Sequence, residues 1–277
     1  GKGSTNLTVT PNPGVGHYTL SLEYECGEQQ EKVFCVLPHP DDARGDGGLF
    51  GIGGAVADDW FWDAAWQMGA RHCRAEFAWT EVERTRGEYR LEWVREVSDL
   101  ARERDMQLTV LTGHTPRRYG VKPVDAEGRV DSAWYTWQPA GTVEWYDYVD
   151  AMAQTLAPRR LAPEPVHRTD TIPRRGKPLV RAWEIWSEAD QNFYYGSWNR
   201  YLDMLRIAYS TIKRHGRVPV VYGSCGHMHE MKRTIAAGCA PYLHRIAYHP
   251  YSDDPRWMMM HWYRNMPQAL AEAGMLR

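Results

Sequence analysis

The stretch Leu179-Val-Arg-Ala-Trp-Glu-Ile-Trp-Ser-Glu-Ala-Asp190 decides the fold. It reads as a strand over 179–187 whose last residues leave the carboxyl edge of a parallel sheet. Strand side chains alternate between faces, so Glu184, Trp186 and Glu188 are predicted on one face, with Glu184 deeper and Glu188 nearest a ligand at the mouth. Taken alone, Glu188 reads as an exposed loop carboxylate, the usual fate of Glu. What surrounds the stretch changes that reading.

Upstream and downstream of it, short apolar runs alternate with helical stretches, the pattern of βαβ units around a parallel sheet. Strands are predicted near 49–56, 72–79, 107–113, 179–187, 218–224 and 244–249, and helices near 59–69, 91–104, 142–156, 197–215, 228–238 and 256–273. The third unit carries long insertions at 115–141 and 158–178, the second rich in Pro and Arg, as in a surface excursion. Before these units, residues 5–37 alternate in character and read as strands of a small β element, joined by a Pro- and Gly-rich linker. The predicted organisation is a β-strand element over 1–44, the end of a β-sandwich domain, and a barrel domain over 45–277. Six βα units fit an open doubly wound sheet or three quarters of a TIM (β/α)8-type barrel. Gly51-x-Gly53-Gly54 follows a strand but lacks the third spaced glycine of a nucleotide site, so it reads as a tight strand-to-loop transition. The residues at the strand ends favour the barrel.

Composition narrows the classes of partner. The 33 basic and 35 acidic residues leave a formal charge of −2, with no basic field for nucleic acid and no like-charge block. Thirteen Trp and sixteen Tyr stand against five Phe, and flat rings edged by a polar group suit a sugar-binding cleft as well as a helix surface. The cysteines Cys26, Cys35, Cys73, Cys225 and Cys239 show no C-x-x-C spacing, so neither a zinc nor a redox motif is indicated. Cys26 and Cys35 flank a polar turn and fit either a disulfide or two buried thiols. No apolar run approaches the roughly 20 residues of a membrane span, and the first residues do not resemble a signal peptide. Localisation stays open, with a secreted or periplasmic protein favoured.

The stretch Trp183-Glu-Ile-Trp-Ser-Glu188-Ala resembles the Trp-Glu-Ile-Trp-Asn-Glu-Pro strand of clan A glycoside hydrolases, especially family thirty-nine, the β-xylosidases and α-L-iduronidases. A second segment agrees: Gly69-x4-Arg74-x4-Trp79-x2-Val82-Glu83, then Gly87-x-Tyr89 and Trp93, is similar to the family's second strand and following loop. The resemblance implies that Glu188 is the catalytic acid/base and that Arg74 orients the nucleophilic carboxylate, a role suited to a five-donor guanidinium. It also implies sugar contacts for Trp79, Trp186 and Ser187, for His114 at the end of strand three, and for His249 and Tyr251 at the end of strand six. Ser187 stands where the family has the Asn that contacts the sugar 2-hydroxyl, and Ala189 where it has Pro.

The implied activity is retaining hydrolysis of an oligo- or polysaccharide by double displacement, with no cofactor and no metal. A catalytically inactive barrel that binds carbohydrate is the alternative, raised by Ser187. In this clan the nucleophile ends strand seven, and the chain reads through only six units. Further segments are therefore expected to complete the barrel, Glu76 and Glu184 being the local substitutes for a nucleophile.

Overall fold

The computed structural model describes residues 16–24, 26–36, 51–54, 56–123, 133–157, 159, 178–189, 193–225, 228–249 and 254–272. Strands β1 (Gly16–Glu23) and β2 (Gln29–Val36) pair antiparallel, Gly16 opposite Val36 and Glu23 opposite Gln29. Gly27 closes their turn at φ +83°, a left-handed conformation that glycine adopts without a Cβ penalty. Cys26 is an exposed free thiol, and the register sets Cys35 opposite His17, so the disulfide reading of Cys26 and Cys35 is set aside. The strand expected near residue 7 lies outside the described residues.

A second sheet follows: β3 (Gly51–Gly53), α1 (Asp59–Gln67), β4 (His72–Glu76), α2 (Trp79–Val82), α3 (Leu91–Glu103), β5 (Gln107–Thr112), α4 (Val143–Leu156), β6 (Val180–Ile185), α5 (Trp198–His215), β7 (Val220–Cys225), α6 (Met228–Ala236), β8 (Arg245–Tyr248) and α7 (Pro255–Glu272). All neighbours are parallel and their order is β3-β4-β5-β6-β7-β8. A doubly wound sheet reverses its strand order at a switch point, whereas this sheet winds in one direction, as a barrel does. The six strands form a curled partial TIM barrel.

The helices lie where the apolar period places them. In α3 the buried positions are Val94, Val97, Ser98 and Ala101, a stripe at helical spacing, and the Ser98 hydroxyl donates to the Val94 carbonyl at 2.7 Å rather than staying unsatisfied. In α4 the stripe is Trp145, Tyr148, Val149, Met152, Ala153 and Leu156. Helix α5 packs beside α4, its Ser197 cap accepting from Arg200 N at 3.2 Å and Lys213, Arg214 and His215 placing positive charge at its C-terminal end.

Much of the tryptophan surplus is core. Trp62, Trp79, Trp145, Trp183 and Trp186 are fully buried. The indole N–H groups of Trp62 and Trp145 donate to the Val56 and Met204 carbonyls at 2.9 Å, which makes a large polar-edged ring affordable in a dry interior. Cys73 and Cys239 are buried free thiols, each pushed up to about 12 by burial and so held as thiols rather than thiolates.

Residues facing one another across parallel strands share a face. Arg74 stands beside Thr109 and Thr109 beside Ala182, while Glu76 stands beside Leu111 and Leu111 beside Glu184. The opposite face of β4, Cys73 and Ala75, is buried under the helices. Arg74, Glu76 and Glu184 therefore line the concave side of the sheet.

Candidate active site

The carboxyl ends of β4, β5, β6 and β8 bring most of the singled-out residues into one place. Arg74 grips Glu184 with two parallel bonds, Nε to Oε2 at 2.7 Å and Nη2 to Oε1 at 2.8 Å, and Nη2 also reaches Ser187 Oγ at 3.1 Å. This fork-to-fork geometry is one that only a guanidinium supplies. Burial pulls the Arg74 pKa down, but the Glu184 hydrogen bond and the charges of Glu184, Glu76 and Glu188 outweigh it, so the group stands above its ordinary value and stays charged. The carboxylate that Arg74 holds is thus Glu184, two strands away.

Period-two alternation stops at Ile185. Trp186 takes φ +67° and Glu188 φ +46°, both left-handed and both costly for residues with a Cβ. The chain turns there instead of continuing as a strand, so Trp186 and Glu188 are not placed by the alternation that places Glu184. Two glycines make the turn possible. A Cβ on Gly113 would sit 3.3 Å from Trp186 Cα, and one on Gly223 would sit 1.8 Å from the Trp186 carbonyl oxygen. The backbones of β5 and β7 close in on both sides of the turn only because neither position carries a side chain.

The turn sends the Trp186 ring inward. It is fully buried, its N–H donates to the Phe193 carbonyl at 2.7 Å, and its edge meets Tyr194 and His114. Trp79 is fully buried as well, stacked between Tyr119 and Tyr148, with its N–H donating to Glu83 Oε2 at 2.6 Å. Both rings are packed beneath the loops that carry the site.

Glu188 is 8% exposed, and His249, at the end of β8, places Nδ1 2.5 Å from Glu188 Oε1. His114, also left-handed at φ +61°, places Nδ1 2.9 Å from Glu76 Oε1. That His114 bond, against a smaller opposing effect of burial and with the His114 and Arg74 charges, holds the Glu76 carboxyl below its usual range. Three non-glycine residues at this mouth are in left-handed backbone, a concentration of strain that favours a functional site over a packing accident. Tyr251 lies outside the described residues.

Glu83 was part of the motif but had no assigned role. It is 1% exposed and its carboxylate accepts from Trp79 Nε1, from Gly87 N at 2.7 Å and from the Tyr119 hydroxyl at 2.7 Å. It ties the loop after β4 to the insertion after β5. The spacing Glu83-x3-Gly87 carries part of that signal, but the Tyr119 bond joins residues 36 apart and is visible only in three dimensions.

No family model matches the sequence, and no curated protein does. Solved structures match it along most of its length. A family 39 glycoside hydrolase from the gut symbiont Bacteroides cellulosilyticus is 17% identical with a TM-score of 0.58, over 86% of this chain and 46% of that one. Xylanase XynB from Paenibacillus barcinonensis is 14% identical with a TM-score of 0.52, over 86% of this chain and 70% of that one. The fold is that of the clan A glycoside hydrolases. At these identities the likeness is one of fold, and the chain spans less than half the length of the family 39 structure. In a glycoside hydrolase barrel the chemistry sits at the carboxyl ends of the strands, and the Arg74–Glu184–Ser187 cluster and the Glu188–His249 pair lie at that face.

Proposed function

We propose that the chain carries the acid/base half of a retaining glycoside hydrolase acting on an oligo- or polysaccharide. The observation that carries the proposal is Glu188: a nearly buried carboxyl, set at the barrel mouth by a left-handed turn and gripped by His249 from β8. A general acid must offer its proton to the leaving oxygen from a fixed direction, and the His249 contact restricts the rotation of the carboxyl group. In the first step Glu188 protonates the glycosidic oxygen as the nucleophile attacks the anomeric carbon. In the second, the ionised Glu188 takes a proton from the water that cleaves the glycosyl-enzyme bond.

Double displacement needs a second carboxylate about 5 to 5.5 Å from the first. Glu184 stands on β6, the strand that leads into Glu188, and Glu76 on β4, so attack from the opposite face of the sugar is assigned to neither. The proposal therefore assigns the nucleophile to a segment completing the barrel beyond β8.

Glu188→Gln tests the reading. Turnover of a glycan with a poor leaving group is expected to fall by about 10²- to 10⁴-fold, the usual contribution of general acid–base catalysis. The first step on an activated aryl glycoside is expected to suffer less. Full activity of Glu188→Gln on a natural glycan would exclude Glu188 as the acid/base. Glycan binding without turnover by the wild-type protein in its complete form would point to a carbohydrate-binding barrel instead.

A further inference from the structure

The loop between β6 and α5 is held from outside the sheet by the insertion that follows β5. Residues 119–121 and 136–140 of that insertion meet residues 194–197 ahead of α5. Val121 N donates to the Gln138 carbonyl and Ala140 N to the Tyr119 carbonyl, each at 2.8 Å. On the other side Gln138 N donates to the Tyr195 carbonyl at 3.0 Å, and Tyr195 N to the Thr136 carbonyl at 2.7 Å. Residues 136–140 are thus the middle segment of a small clasp, with Gly120 opposite Pro139 and Trp137 opposite Tyr195.

The side chain of Gln138 crosses the clasp. Its Oε1 accepts from Ser197 N at 2.9 Å, at the residue that caps α5. The two segments run so close there that a Cβ on Gly196 would sit 2.5 Å from Gln138 Cβ and 2.7 Å from its Oε1. A glycine at 196 lets the amide reach the loop. With that acceptor removed, the Ser197 N–H has to turn to water or shift, because a backbone donor away from solvent is costly to leave unpaired.

What the clasp holds is the turn that carries Glu188. The bond from the Trp186 indole to the Phe193 carbonyl joins two residues that flank Glu188 in the chain. Tyr194 meets the Trp186 ring at 5.2 Å and the Tyr201 ring at 5.7 Å, and the Tyr201 hydroxyl donates to the Ile185 carbonyl at 3.0 Å. On the sheet side, Trp186 N donates to the Thr112 carbonyl at 2.6 Å and the backbones of Gly113 and Gly223 press close. Left-handed Trp186 and Glu188 persist only where their surroundings over-determine them. The sheet supplies one side of that restraint and the clasp the other.

We infer that Gln138 is a positioning residue for the Glu188 carboxyl, acting through residues 193–197 and the Trp186 indole. The inference rests on the proposed acid/base reading and adds to it a residue from a different loop. A general acid displaced by about 1 Å loses much of its effect although its chemistry is intact. The loss is selective: it falls on the step that needs the Glu188 proton and spares departure of a leaving group that needs none.

The test compares the protein in its complete form with Gln138→Met, which matches the side chain in length and removes its oxygen acceptor, and with Gln138→Glu, which restores an acceptor for Ser197 N. Two substrates are used: a glycan with a poor leaving group and an activated aryl glycoside. Gln138→Met should lower kcat/KM roughly tenfold or more on the glycan and no more than about twofold on the aryl glycoside. Its melting temperature should fall by only a few degrees, as befits the loss of a single hydrogen bond. Gln138→Glu should recover most of the activity on the glycan. The indole N–H resonance of Trp186, identified by its absence from Trp186→Phe, should move in Gln138→Met and return in Gln138→Glu. Equal losses on both substrates would mark a general loosening and overturn the inference, as would wild-type activity of Gln138→Met on the glycan or an unmoved Trp186 resonance. Glu188→Gln, run alongside, separates the two readings. If it loses turnover of the glycan while Gln138→Met keeps it, the acid/base assignment stands and the role of Gln138 falls; if Glu188→Gln keeps full turnover, the acid/base assignment falls and takes this inference with it.

Discussion

Replacing Arg74 by Met removes the cation from a carboxylate that has nowhere else to go. The Glu184 side chain is 2% exposed and that of Arg74 is 32% exposed. At the observed 2.7 to 2.8 Å the Coulomb attraction is about 6 kcal/mol at an effective dielectric constant near 20. Most of that repays the desolvation of the two groups. Removing one member of a buried pair costs about 3–5 kcal/mol, and the partial exposure of Arg74 puts this pair at the lower end, about 3 kcal/mol. For a chain of this size about 3 kcal/mol lowers the melting temperature by roughly 6–12 °C. Urea unfolding followed by tryptophan fluorescence measures it directly. Arg74→Met/Glu184→Leu, which removes both charges, should recover most of the loss, because an apolar pair of similar volume has no desolvation to repay. A single variant that loses less than about 1 kcal/mol, or a double variant no more stable than the single, would refute the view that the bidentate pair organises the floor of the mouth.

Three further outcomes follow from the same geometry. Gly223→Ala should cost about 1–3 kcal/mol or more and lower activity, because the new Cβ meets backbone oxygens of Trp186 and Ile185 at 1.8 and 2.3 Å; wild-type stability and kinetics would mean that the β6 and β7 backbones can separate at little cost. Ser187→Asn, which keeps an acceptor near Arg74 and reaches further into the mouth, should change turnover more than stability; unchanged kinetics would show that another group already supplies the sugar contact. The Glu76 carboxyl is depressed in the folded state, so its contribution to stability is present above its ordinary value of 4.5 and is lost as pH falls through the lower folded value. Acid unfolding of wild type should therefore steepen below about pH 4.5 relative to Glu76→Gln, and identical acid limbs would show that the His114 contact does not stabilise the ionised form.

The order and type of the barrel elements were legible in the sequence because both depend on local pattern. Apolar stripes at helical spacing mark α3, α4 and α5, and every predicted strand of the barrel lies within a few residues of an observed one. The strand that carries Glu184 and Glu188 was legible for the same reason; that Arg74 should hold a carboxylate was legible only through the family resemblance. Which carboxylate it holds was not. Arg74 and Glu184 are 110 residues apart, and they meet because parallel register sets β4, β5 and β6 side by side and the sheet curls. Period two assigns a face only while a strand continues, so it placed Glu184 correctly and lost its force at Trp186, where the backbone enters the left-handed region. Sugar contacts for Trp79 and Trp186 were implied by the resemblance alone, and it is packing that sets both rings under the loops they support. A motif names residues able to do a job; which of them face the mouth is set by long-range contacts between strand ends, and those exist only once the sheet has curled and set its strand ends side by side.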